Sequence, residues 1–284
     1  MALTINTNMS SIIAQGNLAK ATSSLNLAIE RMTTGYKINH AGDNAAGYSI
    51  ARNWETQLGS LDVAADNAAT GADMLTTLED TYALITSHVQ RVRDLTEQAA
   101  NGTYGSQSLK AIQSEITARL DEIDRIAANC EFNGLKMMTG EMGEIALQVG
   151  LYDSDDSQIL LKEELFESAA VADLFSEDGA DVAKKCAGLD STTEAAEMLT
   201  KIDTVINTIS SRITTLGAAQ NRIDSAIESI GVQSENITSS LSTLRDADIA
   251  EESSNYIQSQ ILQQAAATLL STANQTPSIA LNLL

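Results

Sequence analysis

Apolar residues recur along this chain at steps of three and four, the spacing that gathers side chains on one face of a helix. The longest run starts at Leu199 and steps through Ile202, Ile206, Ile209, Ile213, Leu216, Gln220, Ile223, Ile227, Ile230, Ser234, Ile237 and Leu241 to Leu244. Twelve of these fourteen positions hold large aliphatics, so the pattern predicts one long helix packed along a coiled-coil seam. Over the 46 residues from Leu199 to Leu244 it would extend about 69 Å. Ser191-Thr192-Thr193-Glu194 fits a capping box at its start. Gly217 and Gly231 lie two heptads apart on it, which suits either simple tolerance or the close approach of another backbone.

A second seam follows Trp54, Gln57, Leu61, Ala64, Ala68, Gly71, Leu75, Leu78, Tyr82, Ile85, Val89 and Val92. It begins with small residues, which let helices come close, and ends with large ones, which fill wider gaps. Asn101-Gly102 and Gly105 interrupt it as turn residues do. A shorter helix then presents Leu109, Ile112, Ile116, Leu120 and Ile123 on one face and ends before Asn133-Gly134. Beyond it the period changes to two. Ile145, Leu147 and Val149 alternate, a polar turn follows at 153–157, and Ile159 and Leu161 alternate again, predicting a β-hairpin. Residues 163–190 read as a weakly specified helix and loop on the exterior.

Both ends of the chain carry thin helical stripes. Ala14, Leu18, Ala21, Leu25, Ala28 and Met32 form one, and Ile257, Ile261, Ala265 and Leu269 the other. Neither buries enough apolar area to hold a helix alone. Each needs a partner, and the other terminus is the nearest one.

Composition supports long helices and narrows the function. Pro277 is the single proline in 284 residues, and proline is what most often breaks a helix. Basic residues number 17 and acidic ones 38, a net charge of −21. That balance disfavours binding to nucleic acid or to an anionic membrane surface. Over half of the charge lies in residues 141–181, which hold twelve acidic groups and one basic group, Lys162. The apolar fraction of 43% with a mean hydropathy of −0.07 excludes both wholesale disorder and a membrane protein. No secretory signal precedes Lys20, so the chain is expected either to stay in the cytosol or to leave by a route that reads no cleavable signal. Two cysteines, Cys130 and Cys186, are too few for a thiolate metal site and are expected to be free thiols.

Candidate chemistry is sparse. Asp153, Asp155, Ser157 and Glu164 occupy positions 1, 3, 5 and 12 of an EF-hand-like loop. Position 6 is Gln158, where that loop needs glycine. His40 and His88 lack partners at ligand spacing, Asp121, Glu122 and Asp124 read as a solvated face, and no phosphate loop or nucleophile elbow occurs. The residues therefore describe a mainly α protein: a long antiparallel helical rod or coiled coil with a small β-hairpin region and paired termini. No catalytic, cofactor or metal site is visible, which suits assembly better than enzymology.

Several separated motifs carry a family resemblance. The stretch from Ser24 to Asn39, with Glu30-Arg31-Met32-Thr33-Thr34-Gly35 at its centre, is followed by Gly42-Asp43-Asn44-Ala45-Ala46-Gly47. Gln90-Arg91-Val92-Arg93-Asp94-Leu95, Gln98-Ala99-Ala100-Asn101-Gly102, Glu122-Ile123-Asp124-Arg125-Ile126 and Phe132-Asn133-Gly134 come next. Leu216-Gly217-Ala218-Ala219-Gln220-Asn221-Arg222, Gln260-Ile261-Leu262-Gln263-Gln264-Ala265 and Ala273-Asn274-Gln275 complete the set. In this order they resemble the bacterial flagellins over roughly 1–162 and 192–284, with a very short central insertion.

The resemblance implies a structural subunit of the bacterial flagellar filament, acting in motility outside the cell. It implies residues 1–45 and 246–284 as the two halves of an inner coiled-coil domain. Residues 46–162 and 192–245 would form a rod domain, and 163–191 a short variable outer segment. It implies export through the flagellar type III apparatus, with an export chaperone and a cap as further partners. The tails would be disordered before assembly and fold on polymerisation, with Leu18, Leu25, Met32, Ile257, Ile261 and Leu269 as the assembly seam. It further implies that a host Toll-like receptor reads a surface at Gln90, Arg91, Leu95 and Glu115, although Asp94, Thr96 and Glu97 depart from the receptor-active pattern. Two other readings stand beside it: an adapter at the hook–filament junction, which shares the terminal helices but does not propagate, and an acidic calcium-binding helical protein.

Overall fold

Helix-forming periodicity and an almost proline-free chain produce seven α-helices among the described residues, with two short antiparallel strand pairs between them. The computed structural model describes residues 7–188 and 192–282. The backbone divides into two compact units, one of residues 1–58 and 235–284, the other of residues 59–234.

The larger unit holds the main core. It takes most of α2 (Ala45–Ala100) and of α6 (Thr192–Arg245), all of α3 (Ser106–Asn129) and both strand pairs. The α2 seam is buried from Leu61 to Val92, as its spacing predicts, with Leu75, Leu78, Tyr82, Ile85, Val89 and Val92 fully enclosed. On α6, Ile202, Ile209, Leu216, Ile223 and Ile230 are buried and the seam positions between them half-buried. Near its start the buried face widens to take in Ala195, Met198 and Val205. The expected capping box begins at Ser191, outside the described residues. A Cβ on Gly217 or Gly231 would meet nothing within 4 Å, so among the described residues no backbone closes on them.

Strands β1 (Glu131–Phe132) and β2 (Leu135–Lys136) form a minimal hairpin that the sequence reading passed over. Its turn is Asn133-Gly134, both at positive φ (49° and 83°), the conformation of a type I′ hairpin turn. The expected second hairpin is present as β3 (Ile145–Gln148) and β4 (Gln158–Leu161), in register Ile145 with Leu161 and Gln148 with Gln158. It sits on α2 at a notch made by Gly71, where an added Cβ would lie 2.4 Å from Leu147 Cδ1. Asn67 Nδ2 donates to the Gln148 carbonyl at 3.2 Å beside it.

Residues 163–188 correct the sequence reading. They are not an exterior loop but a wall of the core. After a single 3-10 turn they form α4 (Val171–Phe175) and α5 (Gly179–Cys186), which pack on α3. Phe166, Val171, Val182, Ala183 and Cys186 have no exposed surface. Polar contacts fix the segment: the Val171 amide donates to Asp124 Oδ1 at 2.7 Å, and Arg212 Nη1 donates to the Ser168 carbonyl at 2.8 Å. Glu177 receives Lys201 Nζ at 2.6 Å and Lys185 Nζ at 2.9 Å, which hold its carboxyl below the ordinary range. Cys130 and Cys186 are both free and buried. Burial pushes the Cys186 thiol up to about 11, against a smaller opposing hydrogen bond with Thr96.

Candidate assembly surface

The smaller unit is built on a pair of helices from the two ends of the chain, α1 (Met9–Thr34) and α7 (Ile249–Asn282). Each has identifiable caps. Asn8 Oδ1 accepts from the Ser11 amide at 3.1 Å at the start of α1. Gly35 ends that helix in the left-handed conformation (φ 74°), donating its N–H to Arg31 at 2.9 Å. Asp248 Oδ1 accepts from the Ala250 amide at 2.8 Å at the start of α7.

Where the pair meets α2 and α6, the two connecting segments form a short ladder. Tyr36 bridges Asp246, the Lys37 amide donates to the Arg245 carbonyl at 2.7 Å, and the Ala247 amide donates to the Gly35 carbonyl at 2.8 Å. Arg245 lies over the Tyr36 ring, 4.1 Å from its centre, and pairs with Glu55. In the same connection the backbone amides of His40 and Asn39 hold the Asp43 carboxyl below its ordinary range.

The helices run antiparallel. Arg31 pairs with Glu252 at 3.0 Å, Gln263 Nε2 donates to Thr22 Oγ1 at 3.0 Å, and Ser11 Oγ donates to Asn274 Oδ1 at 2.7 Å. On α1 the inward face is the stripe read from sequence: Ala14, Ala21 and Ala28 are buried, and Leu18, Leu25 and Met32 are half-buried. On α7 it is not. The buried positions there are Glu252, Ser259, Ala266 and Ala273, seven residues apart, with Tyr256, Gln263 and Leu270 half-buried between them. Ile257, Ile261 and Leu269 point outward and are 54%, 60% and 62% exposed. The expectation that this stripe packs on α1 is therefore corrected: α7 offers α1 small and polar residues and turns its large aliphatics to the outside.

The outward face continues. Ile249 and Leu262 on α7, and Met9, Ile12, Ile13, Leu27 and Ile29 on α1, are exposed too. Twelve of the nineteen exposed large apolar side chains among the described residues belong to this smaller unit. Ala21, Ala265, Leu262 and Leu269 line a groove of about 340 Å³ between the two helices, together with Lys20. Apolar surface gathered this way marks an interaction site on a folded protein. Sequence periodicity missed Ile12, Ile13 and Leu262. The usable signal was that the aliphatics of α7 surround the helix, more than one partner face requires.

The four residues of the receptor resemblance divide. Gln90 and Arg91 on α2 are exposed, and Arg91 Nη2 pairs with Glu115 Oε1 of α3 at 2.8 Å. Leu95 is 2% exposed and lies in the core, which corrects its place in a surface patch. Among the described residues no group of three or more His, Cys, Asp or Glu side chains gathers for a metal ion, and no helix is long and apolar enough to cross a membrane. Ser157 of the EF-hand-like loop is buried against Ser154, their hydroxyls 3.0 Å apart. His40 Nε2 lies 2.8 Å from Glu30 Oε1, a partner its spacing did not reveal.

Comparison with known proteins bears on this surface. The model of the bacterial flagellin N-terminal helical region matches residues 5–142, and that of the C-terminal helical region matches residues 199–284. A flagellin of Xenorhabdus nematophila is 37% identical over the whole of both chains. A flagellin of Bacillus subtilis is 32% identical over 99% of each. Among solved structures, a putative flagellar hook-associated protein from Vibrio parahaemolyticus superposes with a TM-score of 0.61. That match covers 72% of this chain and all of that one, at 12% identity, and so speaks to the fold alone. With both terminal helical regions matched and full-length relatives above 30% identity, the chain belongs to the bacterial flagellin family, the structural subunits of the extracellular flagellar filament.

Proposed function

We propose that this flagellin polymerises through the outward apolar face of its α1–α7 pair. The observation that carries this reading is the inversion on α7, where small and polar residues face α1 while Ile257, Ile261 and Leu269 face out. A helix pair so arranged gains little from its own closure and much from neighbours that cover it. Folding on association would then offset the ordering cost of the two tails. A filament further requires contacts that do not close into a ring. Leu18, Leu25 and Met32 serve this assembly from the inward side, by closing the pair.

In this reading residues 1–45 and 246–284 form the inner assembly domain. Residues 46–162 and 192–245 form the rod, and 163–188 pack into its core. The chain travels through the flagellar type III export apparatus with an export chaperone and is placed under a cap. Gln90, Arg91 and Glu115 offer an exposed polar patch for a host Toll-like receptor, with Leu95 holding the helix beneath it. Removal of residues 246–284 is the test. The truncated chain should remain a soluble, folded monomer that forms no filaments by electron microscopy. Filaments from the truncation would overturn the reading, and full-length protein that stops at short collars would favour the hook–filament adapter.

A further inference from the structure

Two Asn-Gly pairs occur in the chain, Asn101-Gly102 and Asn133-Gly134, and both are exposed. An asparagine followed by glycine is open to attack by its own backbone. The glycine nitrogen loses its proton and bonds to the asparagine Cγ, the Cγ–Nδ2 bond breaks, and ammonia leaves with that proton. The cyclic imide left behind takes up one water and opens to aspartate, or to isoaspartate, in which the backbone runs through the side chain. In total one amide and one water give one carboxylic acid and one ammonia. Glycine permits the attack because no Cβ shields its nitrogen. Ring closure also needs that nitrogen on the same side of the asparagine Cα–C bond as the asparagine Cβ.

The two pairs differ in this requirement. Asn133 stands in the left-handed conformation (φ 49°) of a type I′ turn, which carries the Gly134 nitrogen to the far side of that bond from the side chain. The turn is clamped behind by the pairing of Phe132 with Leu135 and of Glu131 with Lys136, and by the Met137 amide on the Cys130 carbonyl at 3.0 Å. Asn101 follows the last residue of α2 and lies outside the left-handed region. Its Oδ1 accepts from the Thr103 amide at 3.3 Å, so the carboxamide already lies across the Gly102 peptide. Among the described residues the Gly102 amide meets no hydrogen-bond acceptor. The turn around it is held by long bonds, from the Asn101 amide to the Gln98 carbonyl at 3.2 Å and from the Tyr104 amide to the Asn101 carbonyl at 3.4 Å. Helix α3 then starts at Gly105 with no side-chain cap.

We propose that Asn101 is a modification site, converted to aspartate and isoaspartate through attack by Gly102, while the hairpin protects Asn133. The proposal does not depend on the assembly reading. Water is the co-reactant, and an extracellular filament subunit meets it throughout its life, so the conversion accumulates with age. The product places a carboxylate at the C-terminal end of α2, where the helix dipole disfavours negative charge. The last turns of α2 hold Ala99, which is fully buried, and Leu95, which lies in the core, so the change loosens a buried helix end.

The test is the mass of two peptides. The full chain is aged at mildly alkaline pH, in buffer and in denaturant, then digested and read by mass spectrometry. In buffer Asn101 should convert at least tenfold faster than Asn133, because each hairpin hydrogen bond that must open slows the latter about five- to tenfold. In denaturant the two rates should converge. Gly102→Ala should slow Asn101 in buffer without disturbing the fold, since a Cβ there would meet nothing within 4 Å. Asn101→Asp carries the product's charge, and amides 96–100 should exchange about two- to fivefold faster in it than in the parent. Equal conversion of the two asparagines in buffer would overturn the proposal. So would a preference for Asn101 that persists in denaturant, or undiminished conversion in Gly102→Ala. Unchanged exchange in Asn101→Asp would overturn the consequence drawn for α2.

Discussion

Replacement of Ile261 by serine perturbs the outward face and nothing else. The side chain is 60% exposed, so the subunit alone gains little from it, and surface changes of this kind alter folding stability by about 0.5 kcal/mol or less. Full burial of an isoleucine side chain contributes about 1.5–3 kcal/mol. Covering the exposed share in a polymer should then contribute about 1–2 kcal/mol. Serine forfeits that, and roughly 1.4 kcal/mol is tenfold in an association constant. The critical concentration for seeded growth should therefore rise about tenfold, read from the protein left in the supernatant after sedimentation. With Ile257→Ser and Leu269→Ser added, the rise should exceed a hundredfold, short of full additivity because Ile257 and Ile261 are one turn apart. Thermal unfolding of the monomer should shift by no more than a few degrees. An unchanged critical concentration, or an equal loss of monomer stability, would refute the argument that this face is covered only on assembly.

Three further outcomes follow from the larger unit. Phe166→Ala, in the segment read from sequence as exterior, should cost about 3–5 kcal/mol in denaturant unfolding, since the ring is fully buried; a cost below 1 kcal/mol would return the segment to the surface. Gly71→Val should force the hairpin away from α2, with a loss of about 1–3 kcal/mol and faster hydrogen exchange at 145–161, and Leu147→Ala should relieve it; an unchanged hairpin would show the notch to be unused. Cys186 should resist thiol reagents in the native chain. Because burial raises this acid from 9.0 to about 11 in the folded state, the folded and unfolded thiols are both neutral below pH 9 and contribute no pH dependence there. From about pH 9 the unfolded thiol ionises first, so stability should fall by about 2 kcal/mol between pH 9 and 11, and Cys186→Ala should flatten that slope.

Large aliphatics made the fold of α2, α3 and α6 legible. Where Leu75, Ile85, Ile209 and Ile223 recur at helical spacing, the buried face is the apolar face, because a single chain supplies both sides of the seam. The same logic failed on α7. There the large aliphatics Ile257, Ile261 and Leu269 point away from α1, and the face buried against it consists of Glu252, Ser259, Ala266 and Ala273, which no hydrophobic pattern marks. In residues 163–188 the acidic groups Glu163, Glu164, Glu167 and Glu177 hid the apolar positions Phe166, Val171 and Val182 between them. Short helices give too few turns for a period to show. The turn at Asn133-Gly134 was legible as a stop but is also a hairpin signal, since both residues accept positive φ. For the candidate surfaces, the motif resemblance named Gln90, Arg91, Leu95 and Glu115 together, and Leu95 is buried because a motif on a helix includes both its faces.

Amide hydrogen exchange, compared between monomer and polymer, tests the central claim most directly. If the α1–α7 pair is ordered by neighbours that cover its outward face, amides of residues 9–34 and 249–275 should slow at least a hundredfold on polymerisation, while the core amides at 202–230 stay as they were. Equal and strong protection of the two terminal helices in the dilute monomer and the polymer would contradict it.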